Sequence, residues 1–114
     1  MNNLRNKVQL IGNLGSDPEV KSLGNNKMLA RMSIATSYVY KDTNGKKVTN
    51  TQWHNVIAWD HNARIIEQFV KKGNEIALEG KLTHRSFEDK EGITRYITEV
   101  VVNEILMLGS RKSE

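Results

Sequence analysis

None of the 114 residues is cysteine, which at once removes disulfide staples, thiolate metal sites and a cysteine nucleophile. That absence suits a reducing cytosol. Proline is nearly missing as well, Pro18 being the only one. Apolar runs are short: none approaches the ~20 residues that a membrane-crossing helix needs. The opening Met1-Asn-Asn-Leu-Arg-Asn-Lys7 has no apolar stretch behind its charges, so no signal peptide is expected. No repeat, linker or low-complexity segment interrupts the chain. At 38% hydrophobic and 26% charged residues it is too apolar to remain disordered, and its length suits one domain around one core.

What is present is positive charge and alternation. The net charge is +4 and the isoelectric point is near 9.4. That balance favours an acidic partner such as nucleic acid or an anionic surface, although charge alone also fits a merely solubilising surface. Val8, Leu10 and Gly12 alternate with Lys7, Gln9 and Ile11 in a first strand. Gly15-Ser-Asp-Pro18 is a turn, Val20–Leu23 a short continuation, and Gly24–Lys27 another turn. Met28, Ala30, Met32 and Ile34 alternate with Leu29, Arg31, Ser33 and Ala35 in a second strand. Asn44-Gly45 marks a hairpin. Trp53–Trp59 is the third strand, and Asp60 is placed to cap a helix from His61 to about Val70, with Lys71 and Lys72 in its last turn and Gly73 at its exit. Glu75–Phe87 and Arg95–Leu108 complete five strands. The order of three strands, one helix and two strands predicts an all-β OB-fold, a Greek-key barrel, with a small β-sandwich as the competing architecture.

Trp53 and Trp59 lie an even six residues apart, so an extended strand aims both indoles to one face, while Val56 and Ala58 take the other. Phe87 follows Lys81, Thr83 and Arg85 in the same way, opposite Ile76, Leu78, Gly80 and Leu82. Rings standing outward among cations suit stacking of unpaired bases with phosphates held alongside. The bland reading of Trp53, burial in the barrel or at a subunit contact, weighs about equally on parity alone.

Val8-Gln-Leu-Ile-Gly-Asn-Leu-Gly-Ser-Asp-Pro-Glu-Val20, Ile34-Ala-Thr-Ser37, Gln52-Trp-His54, Lys72-Gly73, Ile76–Gly80 and Arg95-Tyr-Ile-Thr-Glu-Val-Val-Val102 together resemble the bacterial single-stranded DNA-binding proteins (SSB). The resemblance runs over nearly the whole chain. It implies an OB-fold spanning residues 1–108 that assembles as a homotetramer and wraps single-stranded DNA during replication, recombination and repair. It places Tyr40, Trp53, Trp59 and Phe87 at base-stacking positions, with changes of ring type at Tyr40, Trp59 and Phe87 that keep each one flat. Lys7, Lys21, Lys72 and Arg85 fall where the family is basic, and Lys71, Lys81 and Arg31 rank next as phosphate contacts. His54 takes a position near a subunit interface, and outward Ile11 is a further interface candidate, beside a fifth-strand row of Ile97, Val101 and Ile105. Tyr38 ranks below Tyr40; Tyr96 and Phe69 are assigned to packing. Relatives continue into a long tail with an acidic tip that recruits other proteins. This sequence stops at Arg111-Lys-Ser-Glu114, so a short flexible end at 109–114 is expected; either the tail has been trimmed from it or this member does not recruit partners by that route.

His54, His61 and His84 have no metal spacing, no Gly-rich phosphate loop appears, and Ser33, Asp60 and His61 have no base set against a nucleophile. No metal, cofactor or enzyme activity is expected, nor any membrane partner; the expected location is cytoplasmic, with the nucleoid. The competing functions are an RNA-binding module of the same fold and a protein-interaction module using the outward rings as hot spots.

Overall fold

The structure, a computed structural model, describes residues 4–108. The expected flexible end at 109–114 lies outside the described residues. The elements run β1 (Val8–Leu14), β2 (Glu19–Gly24), β3 (Lys27–Lys41), β4 (Lys47–Trp59), α1 (Asp60–Phe69), β5 (Glu75–Glu88) and β6 (Thr94–Leu108). The described strands number six rather than five, because Glu19–Gly24 forms its own ladder on β3, with Val20 opposite Ala30 and Lys21 opposite Leu29. Counting that strand moves the helix from between the third and fourth strands to between β4 and β5.

The strand order is β1-β5-β6-β4-β3-β2, and β1 also pairs with β3 at Asn13↔Ala35 and Leu14↔Ile34. That second pairing closes the sheet into a barrel, the OB-fold that the element order predicts. Alternation along each strand then divides the residues into an interior and an exterior. Ile34, Val56, Ile76, Val100 and Val102 fill the interior, and α1 closes one end with Ala63 and Ile66. Each of the larger side chains contributes about 1.5–3 kcal/mol by leaving water. The predicted inward set holds for Val56, Ala58, Ile76 and Leu78, but Leu82 is exposed. It pairs with Val100, whose other neighbour is Val56 of β4, but it lies beyond the last β1 partner of β5, Val8 at Gly80, and is left partly uncovered on that side.

Two local departures have clear causes. In β6 the register steps from Glu79↔Glu104 to Gly80↔Val102, leaving Asn103 unpaired. A bulge of this kind reverses parity beyond it. Val102 stays inside, Ile105 turns inward onto the core, and Leu106 stands exposed. The expected outward row of Ile97, Val101 and Ile105 therefore ends at Val101. At the start of α1, Asp60 is not the cap: Trp59 occupies that position without a side-chain bond, and Asp60 is itself the first helical residue. The Asp60 carboxylate instead accepts the Met28 amide at 3.0 Å, tying the helix to β3. The helix ends at Phe69, so Lys71 and Lys72 lie in the following turn rather than in its last turn.

Candidate nucleic-acid interface

Pairing registers place the outward side chains in rows across the barrel wall. One row runs Lys21 (β2), Leu29 (β3), Trp59 (β4). The next runs Arg31 (β3), Ile57 (β4), Val101 (β6), Lys81 (β5), and the third Ser33, Asn55, Glu99, Thr83. Beyond these, Trp53 sits opposite Ala35, Arg85 opposite Ile97, and Phe87 opposite Arg95. Trp53, Trp59 and Phe87 thus share one face, with 59%, 42% and 45% of their surface exposed. Parity alone left Trp53 evenly divided between stacking and burial, and the fold puts it outside within this chain.

Trp53 is exposed yet supported. A Cβ at Gly15 would lie 2.5 Å from Cζ3 of its indole, so the ring leans against the bare backbone of Gly15. The Gly15 amide donates to the Ser33 carbonyl at 3.1 Å, which fixes that backbone. In the same loop, the Asp17 carboxylate accepts the Lys72 amide at 2.8 Å and brings the Lys71–Asn74 turn to this end of the barrel. Lys71 and Lys72 therefore border the face from the turn after α1.

The middle of the face carries a feature that sequence reasoning missed. Glu99 points outward with the rings but is only 2% exposed. Arg85 grips it with two hydrogen bonds, Nε to Oε1 at 2.9 Å and Nη2 to Oε2 at 3.1 Å. Arg31 approaches Oε2 at 3.7 Å, and the Glu99 carboxylate, hydrogen-bonded to Arg85 and attracting it, raises the Arg85 guanidinium above its ordinary pKa. The same guanidinium lies 6.0 Å from the centre of the Phe87 ring, within cation–π range. Parity offered a signal, since Glu99 falls on the outward side of a strand-like run, but nothing in the sequence says which cations cover it.

The other candidates separate. Tyr40 and Tyr38 lie on the opposite strand face from Trp53, with ring centroids 5.9 Å apart and planes tilted by 38°. Both are exposed, and Tyr38 more so, which reverses their ranking by accessibility. Tyr96 at 81% and Phe69 at 58% exposure are not packed within the chain, against expectation. Lys7 is partly committed to Glu79 at 3.5 Å. His54 lies half-buried on the inward side of β4, its Nε2 2.9 Å from the Thr36 hydroxyl. Ile11 is exposed on β1, in a row with Ala77 and Leu106 across β5 and β6. No group of three His, Cys, Asp or Glu residues among the described residues has a geometry to hold a metal, and no described helix is long and apolar enough to cross a membrane.

The single-strand binding protein family matches residues 5–108. A single-stranded DNA-binding protein of Neisseria meningitidis serogroup A is 43% identical over 106 residues, covering 93% of this chain and 61% of the relative. The single-stranded DNA-binding protein 1 of Xylella fastidiosa is 42% identical over 108 residues, covering 94% of this chain and 79% of that protein. The chain thus spans about three-fifths of the Neisseria relative. Among solved structures, a Plasmodium falciparum SSB in complex with ssDNA superposes with a TM-score of 0.81 at 26% identity, covering 91% of this chain and 95% of that one. A deletion mutant of the single-stranded DNA binding protein from Thermus aquaticus shares the fold, with a TM-score of 0.78 at 24% identity, over 93% of this chain and 51% of that chain. With its barrel order, its outward rings and a match over almost every described residue, the chain belongs to the single-strand binding protein family.

Proposed function

We propose that this chain binds single-stranded DNA without regard to sequence, coating strands exposed in replication, recombination and repair and shielding them from re-annealing and nucleases. The observation that carries the reading is the shared outward face of Trp53, Trp59 and Phe87 with cations between and around them. Rings stack on any base, each contact being worth ~1–3 kcal/mol by truncation, and duplex DNA hides the base faces they need. Lys21, Lys72, Lys71 and Lys81, with Lys7 at the margin, supply phosphate contacts. The role is one of binding, with no catalysis and no cofactor, in the cytoplasm with the nucleoid.

One OB domain covers only ~4–16 nucleotides, so long strands call for several domains held together. The row of Ile11, Ala77 and Leu106, exposed at Ile11 and Leu106, favours contact between copies, and a homotetramer is the assembly that the family resemblance implies. The position of His54 at such a contact belongs to the same proposal. The test of function is a fluorescence titration with poly-thymidine at two salt concentrations, with a matched RNA as competitor. Quenching of the indoles, with affinity falling by a log–log slope of about 0.7 per phosphate, is the expected result. Unchanged emission at saturating poly-thymidine overturns the reading, and preference for the RNA moves it to the RNA-binding alternative.

A further inference from the structure

A carboxylate at the centre of a surface meant for a polyanion is out of place unless it does something the cations alone do not. Glu99 is the buried charged residue among the described residues, on the outward side of β6 between Asn55 of β4 and Thr83 of β5. Two guanidiniums converge on its two oxygens, and both remain partly open to solvent, Arg85 at 45% and Arg31 at 42% of their side-chain surface. The cluster (two positive, one negative) therefore offers one net positive charge rather than two. Arg85 is held by a two-point fork, the geometry that fixes a guanidinium plane rather than merely a charge. Its central carbon lies over the Phe87 ring, 6.0 Å from the ring centre.

We infer that Glu99 is a positioning residue for the binding face: by holding Arg85 and Arg31 on its carboxylate it turns Arg85 from a mobile phosphate contact into a fixed guanidinium set against the Phe87 ring, on which a base can settle. A fixed guanidinium loses little freedom when a base settles on it. Its pairing with Glu99 also leaves phosphate neutralisation mainly to the lysines. The inference rests on single-stranded DNA as the ligand, and it revises the sequence-based role of Arg85 and Arg31 as simple phosphate contacts.

Glu99→Gln separates this from plain electrostatics, because the substitution adds positive charge to the face. Poly-thymidine affinity is measured for the unaltered chain and the variant across a salt series, with the thermal midpoint recorded beside it. The expected result is two crossing lines. The variant's salt slope is steeper by about 0.7, as a freed arginine takes up phosphate. At high salt its affinity falls about tenfold, the low end of one stacking contact. A variant that binds more tightly throughout shows that Glu99 merely repels DNA, and a parallel, uniformly weaker line shows a merely structural role; either overturns the inference. If Glu99→Gln does not fold, Arg85→Lys keeps the charge and removes the fork; it is expected to weaken binding about as much with no change of slope, and unaltered binding overturns the inference. Failure of the unaltered chain to bind poly-thymidine would instead overturn the functional proposal, and this inference with it.

Discussion

The β3–β4 and β5–β6 hairpins turn by the same chemistry and differ in charge. In the first, Asp42 accepts the amides of Asn44 at 2.8 Å and Lys46 at 3.0 Å, and Gly45 closes the loop at φ 78. In the second, Asp89 accepts Glu91 at 2.9 Å and Ile93 at 3.0 Å, and Gly92 closes at φ 78. The five-residue loops Asp42–Lys46 and Asp89–Ile93 are thus near copies in backbone terms. Their surroundings differ. Lys41, Lys46 and Lys47 crowd the first tip and make no ion pair within 4.0 Å among the described residues. The second tip holds Glu88, Asp89 and Glu91, and its arginines are already paired, Arg95 with Asp89 at 2.9 Å and Arg85 with Glu99. The same turn therefore serves a cationic arm with a tyrosine pair on one side and a neutralised arm that presents Phe87. On the proposed function, the first hairpin suits phosphates and the second suits a base.

The comparison is anchored by Trp53 at the root of the β3–β4 hairpin. Trp53→Ala should weaken poly-thymidine binding by about 1–3 kcal/mol while the thermal midpoint stays near that of the parent, read by titration and by circular dichroism. Gly15→Ala should reproduce part of that loss, since the added methyl displaces the indole; binding unchanged in both would remove Trp53 from the face.

A charge test comes next in size. Replacing Lys41, Lys46 and Lys47 together by Gln should flatten the salt slope by up to about 2, at about 0.7 per lost phosphate contact. The same change at Lys90, the lysine of the second tip, should leave the slope nearly as it was. Equal effects from both tips would erase the contrast between the arms.

The turns themselves give a smaller effect. Asp42→Ala and Asp89→Ala should each lower the denaturant midpoint through lost loop hydrogen bonds, measured by unfolding. Asp89→Ala should be the larger of the two because Arg95 also loses its partner.

The smallest effect is one of pH. Hydrogen bonding from Arg95, and then from the Ile93 amide, lowers the Asp89 pKa below the ordinary carboxylate value. A depressed folded-state pKa means that the stabilisation is present above the unfolded carboxylate value of ~3.9 and is lost as pH falls through the lower folded value. The protection of the Ile93 amide, its exchange rate taken relative to the intrinsic rate at each pH, should therefore fall below that range, and should do so independently of the Asp42 turn. Protection that does not change with acid would show that the ion pair at the second tip contributes nothing to its order.

Much of this architecture follows from strand parity. The even spacing of Trp53 and Trp59, with Val56 and Ala58 between, already divides β4 into a wet and a dry face, because a pleated strand has a period of two. Asn44-Gly45 names its own hairpin, and the element order reaches the barrel. Parity is local, however, and fails where the ladder slips: the bulge at Asn103 sends Ile105 inward and Leu106 outward, and no residue pattern marks it in advance. Asp60 has the composition of a cap, yet its carboxylate is taken by Met28, a partner 32 residues away. Leu82 and Tyr96 read as core or packing residues, but Leu82 lies on β5 beyond its last β1 partner and Tyr96 in the β5–β6 hairpin beyond the pairing with β4, so both stand exposed.

What the sequence by itself determined is which side chains share a face along an unbroken stretch of strand, since that depends only on steps along the chain. What only the tertiary structure decided is which strands lie side by side. That neighbourhood closes β1 onto β3, leans Trp53 on Gly15, and brings Arg31 and Arg85 from two distant strands to the carboxylate of Glu99. Contacts of that kind are set by barrel closure and register, and they cannot be read from spacing along the chain.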